Sequence, residues 1–98
     1  MLDPAAVLGF EWDDGNARKS AEKHGVSQIE SEQLFFNEPL IARDEKHSSA
    51  EQRFLGLGWT DAGRLLHVTW TAKRGGTLIR VISARPMSRK KRAWYAQS

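Results

Sequence analysis

The sequence predicts a single α+β domain in which helices pack on one face of a small, mostly antiparallel sheet. Three observations support this fold class. Apolar, β-branched runs follow one another at hairpin spacing in the second half, two helix-capping patterns stand in the first half, and 98 residues suit one modest core. The predicted order of elements is β-α-α-β-β-β-β-α, and the domain spans residues 1–98.

The first predicted elements are a strand and a capped helix. Residues 1–8 are expected to form a loose arm, and residues 9–12 (GFEW) a short strand. Asp13 is a suitable N-cap for a helix over about residues 14–24, which Gly25 ends. The apolar face of this helix is thin and consists of Ala17 and Ala21. We therefore expect the helix to lie shallowly on the domain.

A second helix is predicted to start at Ser27, where Ser27 and Glu30 form a capping box. The segment before Pro39 ends it, because the residue preceding a proline disfavours helical backbone. Its apolar side chains, which we expect to contact the core, are Ile29, Leu34, Phe35 and Phe36.

The remaining elements are four strands and a final helix. The strands are predicted at residues 40–43, 53–59, 65–71 and 77–84, and turn residues separate the last three. The final helix covers residues 86–95.

Charge is distributed unevenly along the chain. Residues 1–63 hold all twelve acids and six Lys and Arg, a balance of −6, whereas residues 64–98 hold nine Lys and Arg and no acid. The positive electrostatic field of residues 64–98 favours binding to a phosphate backbone, an acidic membrane surface or an acidic protein partner. The alternative is a solvated basic face with no partner.

Several functional classes are disfavoured by composition. The chain has no cysteine, which excludes disulfides and thiolate metal sites and fits a cytoplasmic location. No apolar run approaches the roughly 18 residues of a membrane span, so no membrane partner is expected. His24, His47 and His67 share no metal-ligand spacing, so we expect neither a metal nor another cofactor.

Arg80 lies within the last predicted strand and Arg85 directly at its end, which is unusual because a cation beside a core must be paired, solvated or have a function. Arg80 and Arg85 are five positions apart, so regular alternation places them on opposite faces of the sheet. Only a bulge or a bend would bring them together. In the preceding strand, His67 lies on the polar face with Thr69 and Thr71.

These side chains suit phosphodiester chemistry on RNA, whose 2′-hydroxyl is an internal nucleophile. Such cleavage needs a base, an acid and cations for the phosphate. Glu51 or His67 fits the base or the acid, and the candidate phosphate ligands are Arg53, Arg64, Arg80 and Arg85. Further contacts to the RNA backbone are predicted for Lys73, Arg74, Arg89, Lys90 and Arg92. The alternatives are a Glu51–Arg53 surface pair, a solvated His67 and a structural role for Arg80.

Six segments in order resemble the BrnT-type toxins of bacterial toxin–antitoxin pairs. They are FEWD (10–13), KHGVS (23–27), FFNEPL (35–40), HSSAEQRF (47–54), LGWTDAGRLLHVTWT (57–71) and IRVISARPMSRKKRAWY (79–95). The resemblance implies a fold like that of the RelE-type ribonuclease toxins and a metal-independent ribonuclease that blocks translation. It also implies neutralisation by a BrnA-like antitoxin with a ribbon-helix-helix DNA-binding domain.

The family pattern carries over to Glu51, Arg53, Arg64, His67, Arg80, Ser83, Arg85 and Tyr95. The chain departs from it at two positions, with Ser20 where the family usually has Asn and Lys91 where it usually has Glu. The second departure makes the last helix more basic.

Three functions therefore compete. The first is an RNA-cleaving toxin that forms a hetero-oligomer with its antitoxin, the second a non-catalytic nucleic-acid-binding module, and the third a basic protein-interaction subunit. Trp94 and Tyr95 are expected to contact the antitoxin. The alternative is that both aromatic side chains pin the last helix to the core.

Overall fold

Five strands and three helices follow one another in the predicted order in a computed structural model that describes residues 6–44 and 52–97. The elements are β1 (Gly9–Trp12), α1 (Asp14–His24), α2 (Gln28–Leu34), β2 (Leu40–Arg43), β3 (Arg53–Trp59), β4 (Leu65–Lys73), β5 (Leu78–Pro86) and α3 (Arg89–Ala96). None of the helices in this part of the chain has the length and apolar character needed to cross a membrane.

The strands form one mixed sheet with the order β1-β5-β4-β3-β2. Strands β2 to β5 pair antiparallel, which the turn residues predict for β3, β4 and β5, but β1 pairs parallel with β5 and aligns Gly9 with Leu78. The prediction of a mostly antiparallel sheet is therefore wrong. Turn signals identify only partners that follow each other along the chain, whereas β1 and β5 are separated by two helices and three strands.

The helix boundaries follow from the predicted caps. The Asp13 carboxylate accepts a hydrogen bond from the Asn16 amide at 3.1 Å, and Gly25 ends α1 in the left-handed region at φ 64°. The predicted capping box of Ser27 and Glu30 is present at the start of α2, with both hydrogen bonds at 3.1 Å. Local side-chain chemistry therefore sets where both helices begin.

The core lies between the sheet and the helices α1 and α2. Trp70, at the centre of β4, is fully buried, and the Phe35 ring packs edge-on against it at 4.8 Å between ring centroids. Gly56 on β3 leaves room for this indole, since a Cβ there would lie 2.8 Å from the Trp70 ring. The part of the N-terminal arm that the structure describes is attached, because Val7 packs on the core and the Leu8 amide donates to the Thr77 carbonyl.

Both helices bury fewer apolar side chains than predicted. Leu34 and Phe35 are buried as expected, but Ile29 and Phe36 are 68% and 63% exposed, because they lie on the outer side of α2 and its following turn. In α1 the side chain that the core covers is Ser20, whereas Ala21 is exposed.

The third helix lies on the opposite face of the sheet from α1 and α2. Its Tyr95 ring packs edge-on against Trp59 at 6.1 Å between ring centroids. Its Lys91 lines the same cavity as His67, and His67 points to the opposite face of the sheet from Trp70. The prediction that all helices pack on one face is therefore wrong. Since α3 has few apolar residues, it covers only one end of that face and leaves the rest open.

Candidate functional site

A β-bulge in β5 changes which of its side chains point away from the core. The register between β4 and β5 shifts by one residue, so that Ile82 is the extra residue on β5. Val81 and Ala84 are both buried in the core, whereas Ile82 and Ser83 both line a cavity on the other face. The bulge therefore reverses the alternation of side chains for the second half of β5.

This reversal brings the two arginines of β5 to the same face. Arg80 is paired with Thr71, and Arg85 with His67. Thr71 and His67 lie on one face of β4, because they are four positions apart in a regular strand. The bulge thus supplies the irregularity that the sequence required for Arg80 and Arg85 to act together.

The open face of the sheet contains a cavity of about 370 Å³, which is within the usual size range for small-ligand pockets. The last helix closes one side with Lys91. The lining residues are Asp44, Arg53, Leu55, His67, Thr69, Ile82, Ser83, Arg85 and Lys91. Three of these side chains are basic and one is a carboxylate, so the cavity suits an anionic ligand.

His67 is electrically neutral at physiological pH. Its side chain is buried at 7% exposure. This burial, together with the charges of Arg85 and Lys91, lowers its pKa from 6.5 to about 4, and Asp44 opposes the shift only in part. A neutral imidazole can accept a proton, so the site holds His67 in the form that a general base needs.

The shifted pKa of His67 predicts a loss of stability in mild acid. Between pH 6.5 and 4 the unfolded chain binds a proton at His67 that the folded chain does not, so stability falls as the pH decreases through this window. The full loss is roughly 3 kcal/mol. Urea unfolding of the wild type and of His67→Gln at several pH values measures it. The stability of the wild type relative to the variant should decrease towards pH 4, and a constant difference would contradict the assigned pKa.

The predicted site residues are only partly brought together. Arg53, His67 and Arg85 line the cavity. Arg80 lies at one end of a row across three strands, in which Thr71 is paired with Arg80 on one side and with Arg53 on the other. Arg80 therefore flanks the cavity without lining it. Within residues 6–44 and 52–97, neither arginine of β5 forms an ion pair with a carboxylate.

Arg64 does not belong to this group, in contrast to the prediction. Its guanidinium donates to the carbonyls of His24 and Gly25 at 3.3 and 2.8 Å, and it forms an ion pair with Glu30 at 3.1 Å. These contacts tie the end of α1 to the start of α2. The hydrogen bonds that the Glu30 carboxylate accepts from the Ser27 amide and from Arg64 lower its pKa. The partial burial of Glu30 opposes this shift. Arg64 therefore joins the two helices to the β3–β4 turn, and its role as a phosphate ligand stays a prediction.

The other predicted residues lie around the open face. Lys73 ends β4 on the side of His67, and the exposed Arg74 follows in a short 3-10 turn. In α3, the exposed cations are Arg89, Lys90 and Arg92. Glu51 and His47 lie outside the described residues. In the part of the chain that the structure describes, no group of three His, Asp or Glu is arranged to hold a metal ion.

The two aromatic residues of α3 have different environments. Tyr95 packs on Trp59 and lines a second cavity with Glu38, Pro39 and Leu40. Trp94 is 42% exposed, and the Lys91 ammonium lies 5.0 Å from the centre of its ring. Tyr95 thus anchors the helix, whereas Trp94 presents much of its ring to solvent.

Two residues of this region, Lys91 and Ser20, are not among the predicted site residues. Lys91 lines the cavity, and Ser20 supports the bulge from the core side through a hydrogen bond with Ala84. A charge run alone does not show which lysine turns inward. A serine on a helix likewise gives no local signal of a distant strand partner.

The sequence and the fold match a known class of proteins, the ribonuclease toxins of toxin–antitoxin systems. Residues 12–91 match the family described as "Ribonuclease toxin, BrnT, of type II toxin-antitoxin system". The chain belongs to the BrnT family, as its motifs indicated, and membership of a type II system implies an antitoxin partner.

A solved structure is similar in fold. The crystal structure of the Brucella abortus ribonuclease toxin BrnT superposes with a TM-score of 0.59 at 19% identity, covering 85% of this chain and 100% of that one. At this identity the likeness concerns the fold alone. No curated protein matched the sequence.

Proposed function

We propose that this protein is a metal-independent endoribonuclease that cleaves RNA in the cavity on the open sheet face and thereby inhibits translation. The observation that carries the proposal is the grouping of His67, Arg53, Arg85 and Lys91 around one cavity. A neutral imidazole and several cations on a rigid sheet are the groups that cleavage by the 2′-hydroxyl requires.

In the proposed reaction, the ribose O2′ attacks the adjacent phosphorus and the bond from phosphorus to O5′ breaks. The products are a 2′,3′-cyclic phosphate and a new 5′-hydroxyl. His67 accepts the proton of the 2′-hydroxyl, and the departing O5′ takes up a proton from a general acid. With His67 as the base, Glu51 is the candidate for this acid, which is one of the two roles predicted for it.

The cations around the cavity are proposed to stabilise the extra negative charge on the phosphate. A guanidinium can donate two parallel hydrogen bonds to phosphate oxygens, which suits Arg85, paired with His67, and Arg53, which lines the cavity from β3. Arg80 lies across Thr71 from Arg53, at the edge of the cavity, and is proposed to bind a neighbouring phosphate. Bound phosphate would also raise the pKa of His67 towards neutrality, which would make it a stronger base.

RNA binding is expected to depend steeply on salt. The contacts outside the cavity are proposed to come from Lys73, Arg74, Arg89, Lys90 and Arg92. Each neutralised phosphate releases counterions, so log affinity should fall with log salt by about 0.7 per contact on single strands. Titrations of a labelled RNA at several salt concentrations measure the slope. A flat response would contradict the role of these cations.

The partner is proposed to be a BrnA-like ribbon-helix-helix antitoxin that carries acidic side chains to α3. The exposed Trp94 beside Arg89, Lys90 and Arg92 offers an aromatic anchor within a basic surface. RNA and the antitoxin would then compete for overlapping surfaces. We further propose a fold relationship to the RelE-type toxins and an activity in the bacterial cytoplasm.

Trp94→Ala is expected to weaken antitoxin binding without lowering the melting temperature, because much of the Trp94 ring is exposed. Tyr95→Ala is the matched comparison and should lower the melting temperature, since Tyr95 packs on Trp59. Scanning calorimetry measures the melting temperature, and titration calorimetry measures the affinity for the antitoxin. If Trp94→Ala binds the antitoxin as well as the wild type does, the anchor is wrongly assigned.

The function itself is tested by induced expression of the chain with and without its antitoxin, with total RNA followed on a gel. Growth arrest with RNA degradation only in the absence of the antitoxin is expected. Arrest with intact RNA would contradict the proposed cleavage and favour a non-catalytic nucleic-acid-binding module.

A further inference from the structure

We infer that Ser20 is a positioning residue for the proposed site: its hydroxyl holds the bulged part of β5 from the core side and so keeps Arg85 beside His67. The Ala84 amide donates a hydrogen bond to the Ser20 hydroxyl at 3.1 Å, across 64 residues of sequence. Ser20 is only 1% exposed and Ala84 is fully buried. The consequence for catalysis rests on the proposed function.

The end of β1 explains why β5 needs this support. On the side away from β4, the partner of β5 is β1, whose last paired residue is Trp12, opposite Val81. Beyond this point no described strand accepts the amide hydrogens of β5 on that side. A buried amide without a partner is costly, so the Ser20 hydroxyl supplies the acceptor that a longer β1 would have provided.

The position of this hydrogen bond connects it to the site. Ala84 follows the two residues, Ile82 and Ser83, that both point into the cavity, and it precedes Arg85. Fixing the Ala84 backbone therefore fixes the direction in which Arg85 leaves the strand. Without the hydrogen bond from Ala84 to Ser20, the bulge in β5 can be lost and the side chains can return to regular alternation. Arg85 would then point away from His67.

Helix α1 is itself held so that Ser20 cannot retreat. The Ser20 carbonyl accepts a hydrogen bond from the Val26 amide at 3.2 Å, and Arg64 binds the carbonyls of His24 and Gly25. The C-terminal half of α1 is thus fastened to the β3–β4 turn. The same contacts that make Arg64 structural give Ser20 a rigid base.

The test compares Ser20→Ala with Ser31→Ala. Ser31 is the matched control, since it is also a fully buried helical serine, but its hydroxyl donates to the Ser27 carbonyl within its own helix. Amide hydrogen exchange by NMR reports on Ala84 directly and requires no RNA. We expect exchange at Ala84 to accelerate at least tenfold in Ser20→Ala, with Val81 unchanged, and no such change in Ser31→Ala.

Cleavage is then measured at a temperature at which both variants are fully folded. In Ser20→Ala, kcat should fall at least tenfold with a smaller change in KM, because RNA still binds to the cationic face while Arg85 is misplaced. Ser31→Ala should keep the wild-type kcat. Equal losses in both variants would assign Ser20 to general packing and overturn the inference.

The exchange experiment separates this inference from the proposed function. If the wild type cleaves no RNA but Ser20→Ala still loses protection at Ala84, the support of β5 stands and the ribonuclease proposal fails. Unchanged exchange at Ala84 overturns the inference whatever the activity. Should Ser20→Ala fail to fold, Ser20→Cys replaces it, because a thiol fills nearly the same volume but is a weak acceptor.

Discussion

Arg85→Ala is expected to reduce RNA cleavage by about a hundredfold or more while the protein remains folded. Arg85 lines the cavity next to His67, and removal of one donor that stabilises developing charge typically costs a factor of about 10² to 10³ in kcat. Arg85 is exposed on the sheet face, so the loss should not come from unfolding. Cleavage rates and circular dichroism of the purified variant measure both quantities.

The control is Arg89→Ala, which removes the same charge from an exposed position of α3 outside the cavity. It should weaken RNA binding slightly and leave kcat near the wild-type value. Arg85→Lys and Arg80→Lys keep the charge but lose the planar fork, so growth inhibition should drop before folding does. If both Lys variants remain fully toxic, these arginines are structural.

Arg64→Ala is expected to lower the free energy of unfolding by about 2 to 3 kcal/mol, because charged hydrogen bonds to two helix carbonyls and Glu30 are lost. The partial exposure of the pair keeps the ion-pair contribution small. Urea unfolding measures the loss. At low temperature, where the variant is folded, it should cleave RNA at close to the wild-type rate. An inactive variant of wild-type stability would instead make Arg64 catalytic.

The local structure of this chain could be predicted because short-range chemistry determines it. Asp13, Gly25 and the Ser27–Glu30 box mark helix ends within a few residues, and the alternation in β4 separates Trp70 from His67. Each signal lies within the element that it specifies. For the same reason, the order of the elements was predictable.

The long-range arrangement could not be predicted in this way. The parallel pairing of β1 with β5 and the opposite placement of α3 depend on contacts between distant segments. The bulge at Ile82 was recognised only as a requirement, because nothing in an apolar run marks the extra residue. The position of Arg64 could not be predicted from its motif either, since its partners are helix carbonyls that the sequence does not identify.

The cationic cavity is proposed to cleave RNA through the ribose 2′-hydroxyl without a metal. Incubating the purified protein, in excess EDTA, with an RNA strand and with the same strand fully 2′-O-methylated tests this mechanism. We expect cleavage of the unmodified RNA to 2′,3′-cyclic phosphate and 5′-hydroxyl ends, and no cleavage of the methylated strand. Cleavage of both strands, or of neither, would contradict it.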